Sequence, residues 1–331
     1  MFALVTGGNG FLGKYIVEQL RARGDRVRSL SRRPANNLHP LGVETIQGDL
    51  RDQAVVDSAC CGVDTVFHVA GVAGIWGPWK HYYTINVQGT ANLVAAAQRA
   101  HVRRFIYTSS PSVTFNGSDQ IAINESAPYP TNWLCHYPHT KALAEQHVLH
   151  VNDQHGMLTC ALRPHLIWGP RDEHLVPRLF ERARRGRLRR IGDGTNQIDM
   201  IYVENAATAH LNACDAMMPG TAVGGRAYFI SQDEPVRCWQ WIDELLSLAG
   251  LPPVNKSVSR RTAWHLGHLL ETTYRLLHLS TEPPMTRFLA AQLSTSHYFD
   301  ISAACRDFGY RPVVSTAEGM EKLMKSLNRT R

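Results

Sequence analysis

Two short stretches of this chain combine residue types and spacings suited to chemistry. Tyr137 and Lys141 stand four residues apart in Tyr137-Pro138-His139-Thr140-Lys141, so on a helix a phenol and an ammonium share one face. A phenol ionises near pH 10 in water, too high for acid–base work near neutrality. A cation beside it stabilises the phenolate. Proline at 138 suits the first turn of a helix, which puts Tyr137 at the helix entrance. Upstream, Thr108-Ser109-Ser110 closes an apolar run over 104–109. A serine hydroxyl there, from Ser109, Ser110 or the nearby Ser112, can hold and polarise a substrate oxygen.

The other stretch opens the chain. Phe2-Ala3-Leu4-Val5-Thr6 is an apolar run long enough for one buried strand. Glycines follow at 7, 8, 10 and 13, and then an amphipathic segment through Tyr15, Ile16 and Leu20 stops at Arg23-Gly24. Strand, glycine turn and helix form the setting a dinucleotide fingerprint requires. Glycine allows the tight turn and lets backbone N–H groups approach a pyrophosphate, whose charge the helix N-terminus favours. A glycine turn without a ligand explains less of this arrangement. With Tyr137 and Lys141, the expectation is hydride transfer between a nicotinamide and a carbonyl or alcohol.

The next strand, over 26–31, runs into Ser31-Arg32-Arg33. Sites for NAD commonly carry a carboxylate at this point, which accepts from the ribose 2′-OH. Here no acid repels a 2′-phosphate and two guanidiniums are at hand to pair with one. NADP(H) is therefore expected ahead of NAD(H); the competing reading is that Arg32 and Arg33 are solvated loop charges.

These residues need a frame. Strand-like runs fall at 2–6, 26–31, 44–47, 64–69, 104–109 and 158–163, with helix-like stretches near 11–23, 52–61, 80–100 and 138–152. That alternation predicts an α/β fold: a doubly wound parallel Rossmann sheet over residues 1–165, joined by part of 195–230. Ligands bind beyond the carboxyl ends of such strands, where Gly7, Ser31, Asp49, Val69-Ala70-Gly71, Ser109 and Pro164 fall. Asp49 could accept from an adenine amino group or simply cap a turn. After Pro164 the rhythm breaks, and residues 166–331 are expected to form mainly a smaller, discontinuous α/β substrate-binding cap.

The chain has 331 residues, 44% of them hydrophobic and 19% charged, as in soluble globular proteins. Seven cysteines (60, 61, 135, 160, 214, 238 and 305) show no CxxC pairing, which argues for a reducing compartment, without disulfides or a zinc site. With a strand beginning at residue 2, no leader peptide is expected, and no uncharged run has membrane-spanning length. A cytoplasmic location follows as the expectation. Histidine pairs at 136/139, 147/150 and 265/268 lack a third ligand at metal spacing, so no metal is expected.

Four motifs carry a family resemblance. They are Gly7-Gly8-Asn9-Gly10-Phe11-Leu12-Gly13, Tyr107-Thr108-Ser109-Ser110, Tyr137-Pro138-His139-Thr140-Lys141 and Arg163-Pro164 with Trp168-Gly169-Pro170. The chain resembles the extended short-chain dehydrogenases/reductases, in their 3β-hydroxysteroid dehydrogenase-like branch. Leu175-Val176-Pro177-Arg178-Leu179, Ile191-Gly192-Asp193-Gly194 and Glu282-Pro283-Pro284-Met285-Thr286-Arg287-Phe288 further resemble the 2-alkyl-3-oxoalkanoate reductases of bacterial olefin biosynthesis. The resemblance implies Tyr137 as proton donor, Lys141 as its partner bonded also to the nicotinamide ribose, and Ser110 as the catalytic serine. It implies Gly7, Gly10, Phe11, Leu12 and Gly13 on the pyrophosphate, Ser31 and Arg32 at the adenosine ribose, and Asp49 and Leu50 at the adenine. Val69, Ala70, Gly71 and Ser109 would line the cofactor, and Pro164, Leu166 and Ile167 its carboxamide.

Trp76, Trp79, Trp133, Ser112 and His165 are candidate substrate contacts. Trp264, Leu266, Leu269, Leu270, Tyr274, Leu276 and Leu277 fall at helical spacing over 262–279; a helix packed on the core is expected, an amphipathic lid touching a membrane or acyl-delivering partner enzymes being the alternative. The net charge is +7, much of it from Arg182, Arg184, Arg185, Arg187, Arg189 and Arg190. Without interleaved aromatics these read as a solvated surface and not a nucleic-acid site. The reading is a reductase of a hydrophobic small molecule, compatible with a homodimer. A sterol dehydrogenase, a sugar-nucleotide epimerase or dehydratase, and a cofactor-sensing scaffold are the alternatives, in falling order.

Overall fold

The computed structural model describes residues 1–329. Seven strands form one parallel sheet: β1 (Phe2–Thr6), β2 (Arg26–Ser31), β3 (Glu44–Gln47), β4 (Thr65–His68), β5 (Arg104–Thr108), β6 (Leu158–Pro164) and β7 (Ala227–Ile230), in the spatial order β7-β6-β5-β4-β1-β2-β3. The order reverses at β1, which pairs with both β2 and β4. That reversal opens a crevice beyond the strand ends, the place where α/β sheets bind ligands.

Helices cover both faces, which is why the strands read as continuous apolar runs. Successive side chains of β1 show the division. Val5 joins Ile16, Leu20 and Phe229 in one core, while Leu4 joins Val66, Leu93 and Phe105 in the other. α1 (Phe11–Ala22) lies on the first face, and α2 (Gln53–Cys60), α3 (Gly89–Arg99) and α4 (His136–His150) serve the second. The helix expected over 80–100 is instead one turn over Trp79–Tyr82, a π-helical turn over Tyr83–Gln88, and then α3. The wider π turn carries Asn86, whose amide is fully enclosed and bonded to other segments; an insertion of this kind re-aims one side chain without ending the helix.

Beyond Pro164 come α5 (Leu175–Arg184) and α6 (Val203–Ala216); α6 packs on the sheet face that α1 covers. A four-stranded sheet joins Val236–Arg237, Gln197–Ile198, His297–Phe299 and Gln120–Ile123. Trp168, Trp239, Trp241 and Leu245 centre a third core there. α7 (Arg260–Leu276) departs in part from expectation: only Ala263, Gly267 and Glu271 along it are buried. A Cβ on Gly267 would come 2.7 Å from the carbonyl carbon of Thr286, so the helix touches the body along a narrow stripe. Ala263 joins the third core and Trp264 packs against Phe115 and Phe288, so the helix does pack on the body, but Leu269 and Leu276 remain 62% and 75% exposed and take no part in it. Among the described residues no helix is long and apolar enough to cross a membrane, and no cluster of His, Cys, Asp and Glu could hold a metal ion. All seven cysteines are free.

Candidate functional site

A cavity of about 650 Å³ lies beyond the carboxyl ends of β1, β4, β5 and β6. Its floor at β1 is the glycine turn. Gly7 has φ +70°, a conformation other residues adopt at a cost. A Cβ on Gly13 would lie 2.1 Å from the Gly7 carbonyl oxygen, so the helix packs tightly on the turn only with glycine at 13. Gly10, in extended conformation with no side-chain cap, precedes α1, which leaves first-turn N–H groups free for an anion. Phe11 and Leu12 also face the cavity.

The expected strand-end residues converge. Val69, Ala70 and Gly71 follow β4, Ser109 and Ser110 follow β5, and Pro164, Leu166 and Ile167 lie at and beyond the end of β6; all line the cavity. Ser109 Oγ is buried without a hydrogen-bond partner, and so is Ser31 Oγ at the end of β2. Buried hydroxyls of this kind ask for a partner. Orphaned hydroxyls, a glycine cradle and a free helix N-terminus together fit a dinucleotide with its pyrophosphate over Gly10 and its ribose hydroxyls near the two serines.

Tyr137 and Lys141 enter the same cavity from the first turns of α4. The Ser110 hydroxyl lies near the Tyr137 phenol and 2.8 Å from the Ser112 hydroxyl. Lys141 Nζ donates to the Thr108 carbonyl at 2.6 Å and sits 4.2 Å from the centre of the Tyr107 ring. Burial pulls the Lys141 ammonium down to about 7, against the opposing pull of Glu145. Burial also raises the Tyr137 phenol above its ordinary value, with the Ser110 hydroxyl working the other way. The expected lowering of the phenol by Lys141 is thus not present in this state. The ammonium is turned to the end of β5, and desolvation wins.

Two groups were missed in the sequence. Asn86 Oδ1 accepts from Val72 N at 2.8 Å, and Nδ2 donates to Val72 O and to Thr140 Oγ1, both at 3.1 Å. It ties the loop after β4 to the start of α4, which carries Tyr137 and Lys141; a lone asparagine inside a helical pattern gives no signal of this. His297 and Asp199 come from the second half of the chain to meet His165. His165 Nδ1 lies 2.7 Å from Asp199 Oδ1, and His165 Nε2 lies 3.1 Å from His297 Nδ1. His165 and His297 line the cavity and Asp199 stands behind them. Burial, reinforced by His165, brings His297 down to about 3.

Other expected residues lie elsewhere. Arg32 is exposed on the rim beyond β2, and its guanidinium makes no salt bridge among the described residues. Asp49 gives its carboxylate to the side chain of Arg51, at 2.9 and 2.8 Å, which holds its pKa below the ordinary range; it is a turn aspartate here. Leu50 is buried against Gly89. The three tryptophans do not line the cavity. Trp133 stacks on His139, with ring planes 5° apart, and Trp79 packs at a tilt against the same imidazole. Trp76 packs on Tyr274 of α7. Aromatic loop residues found one another. The apolar wall comes instead from Phe115, Leu175, Leu179, Trp239, Phe288 and Leu293.

Comparison with known proteins agrees with this geometry. Residues 4–259 match the model of the 3-beta hydroxysteroid dehydrogenase/isomerase family. The chain belongs to that family. Such members are NAD(P)-dependent oxidoreductases of the short-chain dehydrogenase/reductase superfamily. Within the family, a 2-alkyl-3-oxoalkanoate reductase of Shewanella oneidensis is 48% identical over 98% of this chain and 86% of its own length. One from Stenotrophomonas maltophilia is 46% identical over 98% and 99%. A mouse sterol-4-alpha-carboxylate 3-dehydrogenase is 34% identical over 99% and 91%. Among solved structures, gox2253 superposes with a TM-score of 0.81 at 25% identity, covering 99% of this chain and 98% of its own. A UDP-glucose 4-epimerase of Thermotoga maritima reaches 0.77 at 20% identity over 100% and 99%, a likeness of fold alone.

Proposed function

We propose that the protein is an NADP(H)-linked reductase of 3-keto acids that carry an alkyl chain at C2. The observation that carries the reading is the match, near half identity across almost the whole length, to two 2-alkyl-3-oxoalkanoate reductases. The mainly apolar wall of the cavity supports it, since long alkyl chains gain roughly 0.8 kcal/mol for each CH₂ withdrawn from water.

When bound, the nicotinamide supplies the hydride. The chain's own residues do the rest. Ser110 holds the C3 oxygen by a hydrogen bond and so fixes it against Tyr137. Tyr137 delivers its phenolic proton to that oxygen as negative charge develops there. Lys141, one helical turn away, bonds the ribose and restrains the charge left on the phenolate. Asn86 holds Val72 and Thr140, so the loop after β4 and the start of α4 keep their separation. Arg32 and Ser31 receive the 2′-phosphate. The test is direct: NADPH consumption with a 2-alkyl-3-keto acid, compared with NADP⁺ or NAD⁺ reduction by a 3β-hydroxysteroid.

A further inference from the structure

We propose that His165, held as an imidazolium by Asp199, is the group that recognises the substrate's carboxylate. The inference rests on the keto-acid reading above. Both the reductase relatives and the mouse sterol-4-alpha-carboxylate dehydrogenase are named for substrates with a carboxylate on the carbon beside the reacting one. On such a substrate the carboxylate sits next to the oxygen that Ser110 and Tyr137 hold. A charge brought into an apolar cavity needs a partner there.

Counting protons identifies the partner. Three hydrogen bonds run in series: Asp199 Oδ1 to His165 Nδ1 at 2.7 Å, His165 Nε2 to His297 Nδ1 at 3.1 Å, and His297 Nε2 to the Gln292 carbonyl at 2.9 Å. A carbonyl only accepts, and so does an ionised carboxylate. Two neutral imidazoles bring two N–H groups, one fewer than the three bonds require. The series is complete only with one further proton. Asp199 Oδ2 also accepts from the Phe299 N–H at 3.0 Å, which favours the ionised carboxylate; the further proton then rests on the imidazole pair, and His165 is the ring that touches the carboxylate. Asp199 is 1% exposed and His297 2% exposed, so both ends of the series are closed off from bulk water. The titratable groups facing His165 are Asp199 and His297. Burial favours the neutral form of His297.

Position makes this charge useful. The link between His165 and His297 runs along the cavity wall, while Asp199 lies outside the lining. The pair therefore shows its positive end to the cavity. Its middle link is the longest of the three, so the His165 Nε2–H is the donor a carboxylate can share. Of the other cations on the lining, Lys141 is committed to Thr108, and Arg178 and Arg182 of α5 share the single carboxylate of Glu282, which leaves Arg182 as the rival that the test must separate from His165.

The test uses the full chain in the direction of oxidation, where the 3-hydroxy acid does not lose CO₂. kcat/KM is measured with NADP⁺ for a 2-alkyl-3-hydroxy acid and its methyl ester, in wild type, His165→Asn, Asp199→Asn and Arg182→Ala, with Tm as the check on folding. Wild type should prefer the acid by roughly tenfold or more, the scale of a hydrogen bond to a charged group. His165→Asn and Asp199→Asn should bring the ratio near one, and Arg182→Ala should preserve it. An unchanged ratio in folded His165→Asn, or its collapse in Arg182→Ala, overturns the assignment. No turnover of either compound overturns the keto-acid reading itself, while equal turnover by wild type overturns only the role of His165. If both histidine-site variants fail to fold, ¹⁵N imidazole shifts of the wild-type protein decide. Both His165 nitrogens should carry hydrogen at neutral pH, and a neutral His165 ring contradicts the proposal.

Discussion

Lys141 Nζ donates to the carbonyl oxygen of Thr108 at 2.6 Å, so the last residue of β5 orients the ammonium of α4. The bond joins the two elements that carry Ser110 and Tyr137. It also keeps a cation in a site where burial disfavours the charge, and that conflict has consequences for both stability and rate.

The Lys141 ammonium titrates near 7 in the folded protein against an ordinary value of 10.5. Between those values the unfolded chain binds a proton that the folded protein has released, so this group adds stability as pH rises through the window. Lys141→Met should raise Tm by a few degrees at pH 7 and remove nearly all activity. Thermal melts and initial rates check it; a lower Tm with activity retained would show that the lysine is merely structural.

Tyr137→Phe should remove the proposed proton donor and change little else. General acid catalysis contributes roughly 10²–10⁴-fold, and a fall in kcat of that size is expected with cofactor binding preserved. Turnover within a few-fold of wild type would exclude Tyr137 as the acid.

Gly13→Ala would bring a methyl group against the Gly7 carbonyl, where only 2.1 Å is open. The helix must then move off the glycine turn. Cofactor affinity should fall at least tenfold for NADPH and NADH alike, read by fluorescence titration, and unchanged affinity would remove the glycine turn from the binding site.

Arg32→Ala separates the two cofactors. Loss of a charge-assisted pair with a 2′-phosphate should weaken NADPH by about ten- to a hundredfold and leave NADH within a few-fold. Equal losses would mean that Arg32 is a solvated loop charge.

Much of the frame was legible from local pattern. The runs at 2–6, 26–31 and 44–47 are strands with those limits, and the glycine spacing placed α1. Residues that meet because neighbouring strands end side by side, such as Gly7 after β1, Ala70 after β4 and Ser109 after β5, could be gathered from topology alone. What escaped depends on long-range meeting. Asp199 and His297 reach His165 from 34 and 132 residues away, and no local spacing encodes that. Trp79 and Trp133 were misplaced because an aromatic side chain in a loop reads the same whether it faces a ligand or His139. In α7 the apolar spacing was legible, but the chain pattern did not show that its buried stripe is Ala263, Gly267 and Glu271 instead of the leucines.

The central claim is reduction of a lipid-like keto acid. Its most direct test is kcat/KM with NADPH for 2-alkyl-3-keto acids of increasing chain length, beside a 3β-hydroxysteroid assayed with NADP⁺ and NAD⁺. At roughly 0.8 kcal/mol per buried CH₂, specificity should climb several-fold with each of the first carbons and exceed that for the steroid. A flat series, or turnover of the steroid alone, would contradict the account.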